Sequence, residues 1–217
     1  MIKMSGTSLV IGSTGLIGKK LIFELAKKNS EVIAITRRSI SNLPENVDLL
    51  DINFDDFLKN ESLPSCDHIY ICLGTTIKKA GSQSEFKKVD FDYCISFARK
   101  AREAGATKIS LVSSVGANPY TKNFYLKTKG EVEEEIKKID FQVINIFRPS
   151  LLLGRREESR FLEKIGQNLS SFINLFLIGY FRKYRSIKFS KVAYCMANCE
   201  QSDGVRYFYF DDFNNNY

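Results

Sequence analysis

Tyr125 and Lys129 stand four residues apart in Tyr125-Leu126-Lys127-Thr128-Lys129, the separation that puts two side chains on one face of an α-helix. A phenol ordinarily titrates near about 10, so it needs a neighbouring cation to serve as an acid or base around neutrality, and an ammonium one turn away is placed to provide it. Upstream, Ser113-Ser114 closes a β-prone run. A hydroxyl at a strand end can hold a substrate carbonyl, and because strand side chains alternate, only one of Ser113 and Ser114 faces such a site.

A second constellation lies at the amino-terminal end. The apolar run Ser8-Leu9-Val10-Ile11 leads directly into Gly12-Ser13-Thr14-Gly15-Leu16-Ile17-Gly18 and then into a helical pattern. That strand–turn–helix context is what a dinucleotide fingerprint requires: one glycine for the tight turn, one for close approach of backbone amides to a pyrophosphate, and one for helix-on-strand packing. The helix start then offers unpaired amides and the positive end of its dipole. About twenty residues on, where an NAD site places an acidic group against the ribose, the sequence has Arg37-Arg38 instead. Two guanidiniums suit a 2′-phosphate, so NADP(H) is expected in preference to NAD(H). Leu73-Gly74-Thr75-Thr76 forms another close-approach turn expected to run beside the cofactor.

Metal chemistry lacks ligands. The five cysteines, at 66, 72, 94, 195 and 199, contain no CxxC pair, and His68 is the single histidine. His68 reads as the start of a strand, and Cys195 and Cys199 as two buried positions on one helical face. Reduced thiols, together with an amino terminus lacking the apolar run of a secretory signal, imply a cytoplasmic protein.

The elements that must carry these groups follow from apolar periodicity. Strands are expected at 8–11, 31–36, 47–52, 68–73, 108–112 and 141–147, with helices over 16–28, 82–105 and 124–138. Arg148-Pro149 ends the sixth strand. Such alternation predicts an α/β fold, a doubly wound parallel sheet with helices on both faces. The chain is read as one domain of 217 residues, with 150–217 as a small substrate-side lobe carrying a late strand near 207–210.

Composition agrees with a folded globular chain: 44% hydrophobic and 26% charged residues exclude disorder and coiled coil as descriptions of the whole. The net charge of +7 raises the question of a polyanionic partner. Nine basic against three acidic residues between 155 and 191 hold most of that excess, and no basic recognition module accompanies them, so nucleic acid is not expected. A small-molecule substrate, anionic in one variant of the reading, fits better. The apolar run 172–181 is too short to span a bilayer, and with Arg182, Lys183, Arg185 and Lys188 behind it, membrane-surface contact through 172–188 is the less favoured alternative to a helix covering the substrate pocket. Oligomeric state is not legible.

The glycine fingerprint, the serine-bearing fifth strand and the Tyr/Lys helix occur in the order of the short-chain dehydrogenase/reductase family. More narrowly, Cys72-Leu73-Gly74-Thr75-Thr76, Leu111-Val112-Ser113-Ser114-Val115-Gly116-Ala117, the run from Asn123 to Glu133, and Phe147-Arg148-Pro149-Ser150 resemble the Tat-interacting oxidoreductase-like group of atypical members, which is NmrA-like and epimerase-like. The likeness extends from about Leu9 to at least Arg160. It implies a Rossmann fold, a bound NADPH and a catalytic set carried by Ser114, Tyr125 and Lys129, with Ser114 the counterpart of the family's functional serine. Tyr125 and Lys129 would also touch the cofactor, and Arg148 and Pro149 would pass the nicotinamide. Two departures stand out: Ser114 and Tyr125 are 11 residues apart, short of the usual family spacing, and Asp90 occupies a place where many relatives have asparagine. The reading is therefore an NADPH-dependent oxidoreductase acting on a carbonyl or conjugated substrate. The alternative is a non-catalytic NADP(H)-binding regulator or scaffold.

Overall fold

The computed structural model describes residues 6–28, 31–38, 40, 42–154, 177–199 and 202–215. Seven parallel strands form one sheet: β1 (Ser8–Ile11), β2 (Val32–Thr36), β3 (Val47–Asp51), β4 (His68–Ile71), β5 (Lys108–Val112), β6 (Val143–Phe147) and β7 (Gly204–Phe208), in the order β3-β2-β1-β4-β5-β6-β7. Parallel strands buried on both faces require crossover helices, and the fully buried Ser8-Leu9-Val10-Ile11 and Val143–Phe147 show that both faces are covered. This is the doubly wound Rossmann-type arrangement. Its direction of winding reverses between β1 and β4, so the loops beyond their carboxyl ends diverge and open a crevice there.

One face carries α2 (Phe54–Asn60), α5 (Tyr93–Glu103) and α6 (Phe124–Lys137); Phe54, Phe57, Phe97, Val132 and Ile136 bury against the sheet. The other carries α1 (Leu16–Ala26), α7 (Phe189–Asn198) and α8 (Phe210–Asn215), with Leu21, Met196 and Phe213 in its core. Each such side chain withdrawn from water stabilises the fold by about 1.5–3 kcal/mol. Helix α2 was missed in the sequence although its start is marked: Asn53 accepts the amides of Asp55 and Asp56, and both acids sit in the first turn.

The helix expected over 82–105 is real but not uniform. Ser82 caps α4 (Gln83–Lys87), a π-turn occupies Lys88–Asp92, and α5 continues to Glu103, where Gly105 with φ +101° stops it. A short capped turn, α3 (Ile77–Ala80), precedes it. The late strand falls at 204–208 rather than 207–210, because Phe210 already begins α8. β7 pairs with β6, Phe147 stacks on Phe208 with ring centroids 4.5 Å apart, and α7 packs on α1. The described part of the region read as a substrate-side lobe therefore supplies a sheet strand and a covering helix. Residues 155–176, which hold four of the nine basic residues and all three acidic residues counted between 155 and 191, and half of the apolar run 172–181, lie outside the described residues.

His68 begins β4 and is buried, with Nε2 2.9 Å from Ser110 Oγ and its ring stacked on Tyr70 at 3.9 Å. Burial, aided by the charge of Lys108, lowers its pKa from 6.5 to about 3. The unfolded chain therefore takes up a proton below about 6.5 that the folded protein refuses until about 3, so stability is complete above 6.5 and declines as the pH falls through that window. Because this is the chain's single histidine, the urea midpoint should drop between pH 7 and 5, by at most about 1.4 kcal/mol per pH unit in stability. His68→Gln should abolish that slope; an unchanged slope in the variant would assign it to other groups.

Candidate active site

The turn after β1 is built from glycines for steric reasons. Gly12 has φ +82°, and a Cβ there would lie 2.6 Å from the carbonyl carbon and oxygen of Cys72; a Cβ on Gly18 would lie 2.3 Å from the Gly12 oxygen. Neither position accepts a side chain without moving backbone. At Gly15 the nearest atom to an added Cβ is 3.2 Å away, and this residue lines the open groove instead. No side chain caps α1, so its first-turn amides are left for a ligand. Ser13 Oγ points inward to the Ile35 carbonyl at 2.9 Å, and Ile17 is buried in the core, so these two residues shape the turn and offer a ligand only their main chain. Leu16 is half-buried at the start of α1.

Two hollows meet at this turn. One, of about 430 Å³, is lined by Gly12, Thr14, Thr36, Arg37, Arg38, Phe54, Leu73, Thr75 and Lys79 among others; the second, of about 320 Å³, adds Gly15, Cys72 and Gly74. Arg37 and Arg38 are exposed at the end of β2, where Thr36 Oγ1 accepts the Arg38 amide at 3.0 Å and holds the strand end in a turn. The Arg37 guanidinium lies over the Phe54 ring, 5.2 Å from its centroid. Phe54 and Lys79 are lining residues that the sequence reading missed. Thr76, expected beside a cofactor, caps α3 by accepting the Lys79 amide at 3.2 Å.

Helix α6 carries Tyr125 and brings Lys129 up behind this groove. Tyr125 is half-buried with its ring against that of fully buried Phe86, centroids 5.8 Å apart. Lys129 is buried, its Nζ 2.8 Å from the Asp90 carboxylate. A Cβ on Gly74 would come within 3.8 Å of Asp90 Oδ1 and 3.9 Å of Lys129 Nζ, which puts the ion pair directly behind the groove wall. Burial works against the Lys129 cation, but the Asp90 carboxylate, with smaller contributions from Tyr125 and Cys94, outweighs it and holds the ammonium above its ordinary range. Burial also pushes the Cys94 thiol up to about 12, so it stays protonated.

The two serines separate cleanly. Ser113 is buried and its hydroxyl donates to the Glu133 carboxylate, whereas Ser114 is half-buried with only a long 3.4 Å approach of its Oγ to the Val115 carbonyl. Alternation along the extended chain places them on opposite sides, and Ser113 is taken by Glu133. Arg148, expected beside the nicotinamide, has its guanidinium engaged by Glu133, Tyr207 and Tyr209. Its Nε lies 3.0 Å from Glu133, its Nη1 donates to the Tyr209 hydroxyl at 2.9 Å, and its guanidinium sits 4.5 Å from the centre of the Tyr207 ring. The reason is the buried Glu133, whose charge must be met locally. Pro149 is buried, and its carbonyl accepts the Val115 amide at 2.9 Å, fastening the loop after β6 to the loop that carries Ser114. Cys195 and Cys199 are buried in the core between α7 and the sheet, as expected of structural positions.

Fold and groove together define a nucleotide-binding protein of the Rossmann type. The chain belongs to the NAD(P)H-binding family, whose model matches residues 12–171. It is 35% identical over 161 residues to the mitochondrial protein FMP52 of Candida albicans, covering 70% of each chain, and 36% identical over 165 residues to protein HTATIP2 of Rattus norvegicus, covering 73% of this chain and 68% of that one. In fold it is similar to human epimerase family protein SDR39U1 solved with NADPH, at TM-score 0.63 and 19% identity over 94% of this chain and 74% of that one. It is also similar to UDP-glucose 4-epimerase of Thermotoga maritima, at TM-score 0.69 and 15% identity over 94% of this chain and 76% of that one. The FMP52 relatives are named mitochondrial, where the sequence reading expected the cytoplasm. Among the described residues, no helix is long and apolar enough to cross a membrane.

Proposed function

We propose that the protein is an NADPH-dependent reductase of a small-molecule carbonyl or conjugated substrate, with Tyr125 as proton donor and Lys129 as its partner. The observation that carries the reading is the position of Lys129, buried one helical turn from Tyr125 and directly behind Gly74 of the nucleotide groove. The groove fits a dinucleotide by its glycine contacts and its uncapped helix start. Gly12, Thr14, Gly15, the α1 amides, Leu73, Gly74 and Thr75 would hold the cofactor, and Arg37 and Arg38 its 2′-phosphate. NADPH, when bound, supplies a hydride. Ser114 orients the substrate oxygen by hydrogen bonding, Tyr125 delivers the proton to it, and the Lys129 ammonium stabilises the phenolate left behind. The site is placed in a reducing compartment, whether the cytoplasm or, following the names of the FMP52 relatives, mitochondria; cell fractionation separates the two.

The direct test is oxidation of NADPH over a panel of aldehydes, ketones and conjugated enones, with the reduced product identified. Tight NADPH binding without turnover of any member would reject the reductase reading in favour of a nucleotide-responsive binding protein. Cofactor preference has its own expected outcome. Charge-assisted hydrogen bonds contribute about 1.5–3 kcal/mol each, so Arg37→Ser with Arg38→Ser should weaken NADPH binding at least about tenfold while leaving NADH within about threefold. Equal losses for both nucleotides, measured by fluorescence titration, would remove these arginines from phosphate recognition.

A further inference from the structure

We propose that Asp90 is a positioning residue of the site: its carboxylate, delivered by the π-turn, holds the Lys129 ammonium with one oxygen and the Thr75 amide with the other, fastening the groove wall and the Tyr125 partner into one unit. The proposal rests on the site assignment given above. Asp90 is completely buried, Oδ1 is 2.8 Å from Lys129 Nζ, and Oδ2 accepts the Thr75 N–H at 2.8 Å. Thr75 and Gly74 line the groove, and the bare face of Gly74 covers the ion pair. Three separate chain segments, the loop after β4, the π-turn and α6, thus meet on one carboxylate. A π-turn inserts one extra residue in a helix, and such insertions recur at functional sites because they redirect a side chain. Here the redirected group is an acid buried without access to water, which is tolerated only because a charge and an amide meet it.

An asparagine at this position could accept the Thr75 amide but could not compensate a buried ammonium. The groups facing Lys129 are Asp90 from the π-turn, Tyr125 from its own helix and Cys94 from α5, whose thiol stays protonated. Asp90 is the one full negative charge among them. With Asp90→Asn, burial would therefore bring deprotonation of Lys129 into the accessible alkaline range.

The experiment measures NADPH binding by fluorescence titration from pH 6 to 10, with no turnover required. Wild type is expected to show a nearly constant Kd across the range. Asp90→Asn should bind within about threefold of wild type at pH 7 and lose at least about tenfold by pH 10, whereas Asp90→Ala, which also releases the Thr75 amide, should lose about tenfold already at pH 7. Wild-type Kd values for Asp90→Ala throughout the range would overturn the proposal. If the single variants do not fold, Asp90→Asn/Lys129→Met and Asp90→Ala/Lys129→Met bury no unpaired charge and differ in their acceptor for Thr75. The first should bind NADPH at least about fivefold more tightly, and equal affinities would overturn the proposal. If wild type binds NADPH and reduces nothing, the reductase reading fails while the role of Asp90 in holding the groove is still decided by these titrations.

Discussion

Tyr125→Phe should lower kcat for the reduced substrate by about 10²–10⁴-fold, the range assigned to a positioned general acid. That corresponds to about 3–5.5 kcal/mol of transition-state stabilisation. The change deletes one hydroxyl and keeps the ring that packs on Phe86 at 5.8 Å, so α6 should remain in place. NADPH affinity is expected within about threefold of wild type, because the groove is built from the turns after β1, β2 and β4. Stopped-flow measurement of NADPH oxidation, paired with fluorescence titration, distinguishes the two quantities. An unaltered rate would remove Tyr125 from the chemistry, and a lost affinity with unaltered rate at saturation would reassign it to cofactor binding.

Glu133→Ala should produce the largest loss of stability, about 3–5 kcal/mol, by leaving a half-buried cation without its buried partner. Glu133 is 1% exposed, receives the Arg148 guanidinium at two oxygens and accepts the Ser113 hydroxyl. Burial disfavours the Arg148 charge, yet Glu133 first and Tyr209 next hold it above the ordinary arginine range. Removing the carboxylate strands the guanidinium between Tyr207 and Tyr209 and leaves the Ser113 donor without an acceptor. For a chain of this length the thermal midpoint should fall by roughly 6–20 °C. Glu133→Leu combined with Arg148→Met should recover most of the loss, since an apolar pair of similar volume avoids both desolvation terms. Urea denaturation of the single and paired variants checks this, and additive losses would show that the two residues do not act together.

Much of the sheet could be read from the chain because its determinants are local. Ser8–Ile11 and Lys108–Val112 are short apolar or β-branched runs bounded by turn residues, and their strands fall where the pattern puts them. The turn after β1 was legible for the same reason: Gly12 at φ +82° and Gly18 against the Gly12 oxygen are requirements of backbone geometry that no other residue meets. What escaped were features with no periodic signature. Helix α2 is seven residues long and announced by one capping asparagine. The π-turn at Lys88–Asp92 interrupts a helix whose apolar spacing continues through it. For the late strand the bounds and the place beside β6 escaped: β7 is held there by Phe208 and Phe213 stacking against Phe147, contacts between residues more than sixty positions apart.

The stripe Tyr125, Lys129 and Glu133 on α6 marks the division most clearly. Its spacing, visible in the sequence, determines that all three side chains project from one helical face, and it makes Tyr125 and Lys129 a candidate proton-transfer pair. The same spacing makes Lys129 and Glu133 look like an ordinary surface ion pair. Tertiary structure decides otherwise: the helix face is buried, and in low dielectric each charge must find a partner of good geometry. Lys129 takes Asp90 from the π-turn, and Glu133 takes Arg148 from the end of β6 together with Ser113 from the end of β5. The sequence thus determined which residues could do chemistry and which glycines could cradle a nucleotide. Burial and long-range charge pairing decided that Ser113 and the Arg148 guanidinium meet on Glu133, that Ser114 stays outside that network, and that Asp90 meets Lys129 behind the groove.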